Sequence, residues 1–520
     1  MGKSASGVIH FHLASGECVM NDLDKVSRRD TLRFAMLGGL ASVVGVSGAL
    51  EGSLVNIAAA ATGTSFAPPP GGAAGNMTGW GDYEKVLANI KAPTFPLRDF
   101  PITEHGAVAD GKTDATAAIA KAIAACSAAG GGRVIVPAGE FLTGPIVLKS
   151  NTNLHVSEGA TLKFFTDPAK YPLVFTRWEG IECMNFSPLI YAFEQENIAI
   201  TGKGILDGQA AKENWWDWKL SHWNNPAEDK QRPDARILIA MGEKGVPVEE
   251  RIFGLGHKLR PNFFQPYRSR NILVEDVTFI RSPMWEIHPV LSTNITVRGV
   301  TISSHGPNND GCNPESCKDV LIEKSVFDTG DDCIAIKSGK NNDGRRVNVA
   351  CENIVVRDCR MKDGHGGVVL GSECSGNIRN IFVENCEMDS PNLDRVLRFK
   401  NNAVRGGILE NMFVRNIKVG KVGEAIVTID LMYEEGSNGY YKPIVRNIEI
   451  DKVTATAAPR VMFVVDFPGA IIDDIKFSNC KFQGVETAEV LASSGTVQFT
   501  NVIIEPKVKP KSLSTRSGAM

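Results

Sequence analysis

A short unit recurs along this chain: Asn or Asp, an aliphatic residue, one spacer, then another apolar residue. It reads Asn271-Ile272-Leu273-Val274, Asn294-Ile295-Thr296-Val297, Asp319-Val320-Leu321-Ile322 and Asn353-Ile354-Val355-Val356. It continues as Asn380-Ile381-Phe382-Val383, Asn411-Met412-Phe413-Val414, Asn447-Ile448-Glu449-Ile450 and Asp474-Ile475-Lys476-Phe477. Asn501-Val502-Ile503-Ile504 closes the series, and earlier copies stand at Asn153-Leu154-His155-Val156 and Asn197-Ile198-Ala199-Ile200. From Ile272 onward the copies lie 23 to 36 residues apart, the period of a solenoid. The alternation within each unit marks strands with one buried face. Val and Ile dominate and the Leu-x-x-Leu-x-Leu signature of leucine-rich repeats is missing. The expected fold is therefore all-β, a single-stranded right-handed parallel β-helix. The leading Asn is either a rung in a side-chain ladder at the bends or an ordinary turn residue.

One segment, Asp114 to Ala129, reads as helix. Thr113 or Asp114 is a possible cap, the body is Ala-rich, and Gly130-Gly131-Gly132 is a stop. A solenoid must cover its ends, so this helix is expected as a lid on the first coil. Eleven cysteines make an odd number, so at least one is unpaired. Cys359, Cys386 and Cys480 occupy equivalent places in the repeat and read as a buried stack of small side chains rather than bridges. No Cys-x-x-Cys zinc spacing occurs, and no cofactor or metal is expected.

The first 61 residues read as targeting. Ser27-Arg28-Arg29-Asp30-Thr31-Leu32-Arg33 matches the twin-arginine pattern, an uncharged stretch runs from Phe34 to Leu50, and Ala58-Ala59-Ala60-Ala61 offers cleavage sites. That implies export to the periplasm or the medium. Residues 62–95 are expected as a leader, 96–510 as the β-helix and 511–520 as a tail. No other segment looks membrane-spanning. The formal net charge of −3 gives no global basic field, so a nucleic-acid partner is not indicated. An anionic polymer would have to be held by local cations.

Four motifs fall inside the repeat. They are Asn308-Asn309-Asp310-Gly311, Thr329-Gly330-Asp331-Asp332-Cys333, Gly364-His365-Gly366 and Arg398-Phe399-Lys400. Singly, each reads as a solvated turn or a charged face. Together they suggest acid/base work on a sugar bond beside paired cations. Arg398 and Lys400 are one period-2 step apart and share a strand face, where they can grip a carboxylate. Crowded carboxylates repel, which raises the proton affinity of one of them.

These motifs, with the front His105-Gly106-Ala107 through Gly139, resemble the family 28 glycoside hydrolases, the polygalacturonases and their exo-acting relatives. Asn309 stands where Thr is frequent and Phe399 where Ile is frequent. The resemblance implies hydrolysis of galacturonan with inversion. It implies Asp331 as the general acid, kept protonated by the crowding, with Asp310 and Asp332 activating water and His365 supporting the acid. An inverting pair needs about 6.5–9.5 Å between acid and base. Arg398 and Lys400 would hold the +1 galacturonate, and Asn308 and Tyr433 would contact sugar. Ser282-Pro283-Met284-Trp285-Glu286-Ile287-His288-Pro289-Val290 and Ile334 to Gly339 look like the exo-acting branch, adding His288 as a substrate contact and Lys337 as a cation near the −1 sugar. The insertion Asp207 to Arg270, with Trp215, Trp216, Trp218 and Trp223, is expected to wall one end of the cleft. Its tryptophans either stack on sugars or pack the insertion. The expected partner is a pectic polysaccharide; oligomeric state is not legible. A β-helix polysaccharide lyase and a non-catalytic glycan-binding solenoid stay open as alternatives.

Overall fold

The computed structural model describes residues 77, 79–219, 229–487 and 497–507. The targeting segment, the leader through residue 76, the tail and Trp223 lie outside the described residues. Parallel strands run from Asp99 to Pro506 and stack coil on coil. The repeat is the register of that stack. Ile272, Ile295, Val320, Ile354, Ile381, Met412, Ile448 and Ile475 pair in succession, and all are buried. The leading Asn residues do form a ladder. Each takes a left-handed φ, 54 to 62° from Asn271 to Asn447. Side-chain amides donate from Asn271 to Asn197 (2.9 Å), Asn294 to Asn271 (2.8 Å), Asn380 to Asn353 (3.1 Å), Asn411 to Asn380 (3.0 Å) and Asn447 to Asn411 (2.8 Å). Asn tolerates this backbone and satisfies its neighbours along the bend.

Two copies are out of register. The rung beneath Asn197 is Asn151, and Leu154 pairs with Ile200 rather than Ile198. Asn501 belongs to a second bend, where it donates to Asn479 at 2.9 Å. All ten described cysteines are buried and unbridged, including Cys359, Cys386 and Cys480.

The helix Thr116–Ala128 closes the first coil, burying Ala118, Ile119, Ala122, Ile123 and Cys126 in the main core. Part of the expected leader is structured instead. The helix Tyr83–Asn89 lays Tyr83 and Val86 against Leu321, Val355, Phe382 and Phe413 on the solenoid's flank.

Two features position the site. One face of the solenoid pairs Ile334–Ile336, Val368–Leu370, Arg395–Lys400, Ala425–Asp430 and Arg460–Val465 in that order. Upstream this face thins to single bridges at Ile287 and Cys312, where the chain widens into turns. The second feature is an antiparallel hairpin, Leu173–Trp178 with Ile181–Phe186. It packs with the helix Arg232–Glu243 through Trp178, Ile181, Cys183, Leu238 and Phe253 against Met284 and Trp285. Trp215 and Trp218 are buried against Tyr171 and Phe186, so these two pack rather than stack on sugar.

Candidate active site

Coil stacking brings the three aspartates together. The Asp310 carbonyl accepts from Glu286 N (2.9 Å), and the Asp332 carbonyl accepts from Gly311 N (3.0 Å), so Asp310 lies one coil from Asp332. Asn309 fixes the turn. Its oxygen accepts from Ser304 Oγ (2.8 Å) and Gly306 N (2.7 Å), and its amide donates to the carbonyls of Ser282 (3.1 Å) and Met284 (2.9 Å). This middle residue of the motif is therefore not idle. Carboxylate oxygens of Asp310, Asp331 and Asp332 lie within 4.8 Å of one another. Measured between these oxygens, the spacing is shorter than the about 6.5–9.5 Å anticipated for an inverting pair. The coil spacing, roughly 4.8 Å between hydrogen-bonded strands, sets the shorter value.

Each carboxylate has its own counter-charge. Asp332 is fully buried between Lys400 Nζ at 2.5 Å and Arg398 Nη1 at 3.4 Å. Arg398 and Lys400 thus face Asp332, with the Tyr433 ring 5.6 and 5.4 Å from their charges. Asp331 accepts from its neighbour's backbone, Asp332 N (2.9 Å), and meets His365 Nδ1 at 3.1 Å. His365 N also donates to the Asp331 carbonyl (3.0 Å). The glycine before it is required, since a Cβ at Gly364 would come 2.8 Å from that same carbonyl oxygen. Asp310 accepts from Asn313 Nδ2 (2.9 Å) and has Lys337 Nζ at 3.7 Å.

Burial and the charges of Asp331 and Asp332 push the Asp310 carboxyl well above the usual carboxylate range. Burial acts the same way on Asp331, but His365 and then Lys400 outweigh it and hold Asp331 below that range. The hydrogen bond to Asp331 raises His365 to about 9 against the effect of burial. The crowding thus raises the proton affinity of Asp310, whereas the sequence pointed to Asp331 as the raised member. The reason is the imidazolium beside Asp331. Three close carboxylates and a histidine share protons as a unit.

Two other expectations change. Lys337 does border the site, but its ammonium is nearly buried, 2.9 Å from Glu373 Oε2 and 4.5 Å from the Trp285 ring centre. His288 is fully buried. Its Nε2 faces Glu315 (2.8 Å), and Nδ1 faces the amides of Asn262 (2.9 Å) and Gln265 (3.0 Å). No atom is left for sugar, so His288 is no substrate contact; its ring packs edge-on against Trp285. A motif places a residue on a coil but does not reveal which neighbours cover it. Asn308 is half-buried, its Oδ1 accepting from Arg260 Nη2 at 2.6 Å. Arg260 escaped the sequence reading. It is fully buried, donates also to the carbonyls of Pro283 (2.6 Å) and Pro307 (2.8 Å), and so ties the insertion to the Asn308 turn. Only its place before Pro261 was visible. Glu373 was also missed; Gly371-Ser372-Glu373, one coil after the Lys337 segment, was the available signal. Cys312, Cys317 and Cys333 are buried, and burial raises all three thiols, so none is a nucleophile.

The chain has recognisable relatives. Residues 252–501 match the model for glycosyl hydrolases family 28, and residues 100–161 match one described as rhamnogalacturonase A/epimerase, pectate lyase-like. A hyperthermoactive exopolygalacturonase from Thermotoga maritima is 45% identical with a TM-score of 0.79, over 82% of this chain and 96% of that one. The exo-poly-alpha-D-galacturonosidase of Dickeya chrysanthemi is 28% identical over 77% of this chain and 70% of its own length. A probable polygalacturonase of Vitis vinifera is 29% identical over 61% of this chain; the match spans 60% of that relative. The Thermotoga enzyme shares the right-handed parallel β-helix of this chain. With the three aspartates, the histidine and the Arg-x-Lys strand in place, the chain belongs to glycoside hydrolase family 28.

Proposed function

We propose that the protein hydrolyses α-1,4-galacturonosidic bonds of polygalacturonate, releasing sugars from the non-reducing end with inversion. The observation that carries this is the placement of the Asp310, Asp331 and Asp332 cluster between Lys337 on one side and Arg398 and Lys400 on the other. Cations on both sides of a hydrolytic cluster suit a substrate carrying a carboxylate on each sugar. Asp331 protonates the glycosidic oxygen, drawing on the proton it shares with His365. Asp310 and Asp332 hold the attacking water, and its proton passes to Asp332 as the new C–O bond forms and the glycosidic C–O bond breaks. The two Asp332 oxygens are already engaged by cations, which suits a water-orienting carboxylate better than a covalent nucleophile. The hairpin Leu173–Phe186 packs on Met284 and Trp285, and its Gly180 carbonyl accepts from Lys340 N, three residues after Lys337; a wall there supports the exo mode. Identity to an exopolygalacturonase points the same way. The twin-arginine segment supports export, as a polymer outside the cell requires.

Digestion of polygalacturonate with products resolved by size tests the reading. Galacturonate should appear first, viscosity should fall slowly, and ultraviolet absorbance should not rise. A ladder of mid-sized products would overturn the exo mode. Unsaturated products would overturn hydrolysis. For export, a reporter fused after residue 61 should leave the cytoplasm, and Arg28→Lys with Arg29→Lys should hold it inside.

A further inference from the structure

The tip of the hairpin is unusual. Trp178 pairs with Ile181, so Glu179 and Gly180 form a two-residue loop. Both have positive φ, 40° and 79°, the pattern of a type I′ turn. The first place in such a turn favours Asn, Asp or Gly; a Glu there is strained backbone that demands a reason. Gly180 is forced by contact. A Cβ would lie 2.7 Å from Lys340 N and 2.9 Å from Glu373 Cγ, and the Gly180 carbonyl accepts from Lys340 N at 3.0 Å. The turn is thus pressed onto the coil that carries Lys337.

Glu179 and Lys340 meet there. Lys340 Nζ is 3.6 Å from Glu179 Oε2 and 4.0 Å from Glu434 Oε2, and it makes no hydrogen bond among the described residues. Its side chain is 4% exposed, whereas Glu179 and Glu434 are 20% and 44% exposed. A nearly buried ammonium without a hydrogen bond is costly, and an incoming carboxylate would satisfy it. A line of alternating charge links it to the aspartates: Lys337 lies 3.7 Å from Asp310 and 2.9 Å from Glu373. Glu373 in turn is held ionised by Lys337 and Lys340 against its burial.

We propose that Glu179 and Lys340 read the non-reducing end of the substrate, Lys340 taking the terminal galacturonate's carboxylate and Glu179 accepting from its free 4-hydroxyl. An internal residue has its O4 in a glycosidic bond, with no proton to offer and a further sugar that meets the hairpin tip. A site built to hydrogen-bond a hydroxyl rejects ligands lacking it far more strongly than a steric wall alone. This inference rests on the exo reading and names the residues that enforce it.

A two-way cycle tests it, using trigalacturonate and its analogue deoxygenated at the terminal C4, with wild type and Glu179→Ala. Each single change should lower kcat/KM at least ~10-fold, mainly through KM, and the two together should cost little more than either alone. Lys340→Met should behave in the same way towards trigalacturonate methyl-esterified on its terminal sugar. Additive losses, or a neutral Glu179→Ala, would overturn the assignment even while wild type still releases only galacturonate. Failure of the exo reading is separate: wild type itself would then cut polygalacturonate internally. Should a variant not fold, the wild-type arm decides, because full activity on the 4-deoxy analogue excludes recognition of that hydroxyl.

Discussion

Lys400→Met removes the closest counter-charge of a fully buried carboxylate. Lys400 Nζ lies 2.5 Å from Asp332 Oδ2, with side chains 6% and 0% exposed. Arg398 at 3.4 Å is the other cation in contact. Breaking one side of a buried pair costs about 3–5 kcal/mol, and the remaining arginine places the loss toward the low end. Thermal unfolding of both proteins reads this loss directly. Activity should fall as well: a charge-assisted contact contributes ~1.5–3 kcal/mol, so kcat/KM should drop roughly 10- to 100-fold. An unchanged melting curve would refute the buried-pair argument and leave Lys400 as a substrate contact alone.

Asp331→Asn should lower turnover by at least ~10²-fold while leaving the melting curve in place, the mark of a lost acid rather than a lost fold. The Asp331–His365 pair keeps its proton until His365 titrates at about 9, so wild-type kcat/KM should decline as pH rises through that value. His365→Asn should move that limb to lower pH and cut turnover roughly tenfold or more; an unmoved limb would detach His365 from the acid. The oxygens of Asp310, Asp331 and Asp332 are close enough to share a cation, so chelation is an informative test. Activity should survive EDTA with saturated products, and a chelator-sensitive rise in ultraviolet absorbance would establish elimination instead.

The solenoid was legible because its core demands repetition. Each coil must bury an aliphatic residue in register with the last, and each bend must take a left-handed residue, so Ile272 to Ile475 and their Asn partners repeat in the chain. Asn153 and Asn501 misled because Asn serves more than one place on a coil. The aspartates, His365 and the Arg398–Lys400 strand were legible as motifs. Their protonation was not, since it depends on which cation meets which carboxylate: His365 on Asp331, Lys400 on Asp332. His288 and Arg260 show the same limit, because burial arises from segments far away in sequence. The hairpin tip at Glu179 comes from 161 residues before Lys340, and no local pattern joins them. The helix Arg232–Glu243 carried Pro233 in its first turn, a signal that composition alone did not bring out.

The central claim is hydrolysis with inversion at the end of a galacturonan chain, by carboxylates closer together than an inverting pair usually is. Proton NMR during the first minutes of trigalacturonate digestion tests all of it at once. Inversion predicts the β-anomer of free galacturonate as the first new signal, with the α-anomer growing in later by mutarotation. Early release of the α-anomer would instead fit the short carboxylate spacing and a covalent intermediate, and would contradict the roles of Asp310 and Asp332 in holding water and of Asp331 as the acid.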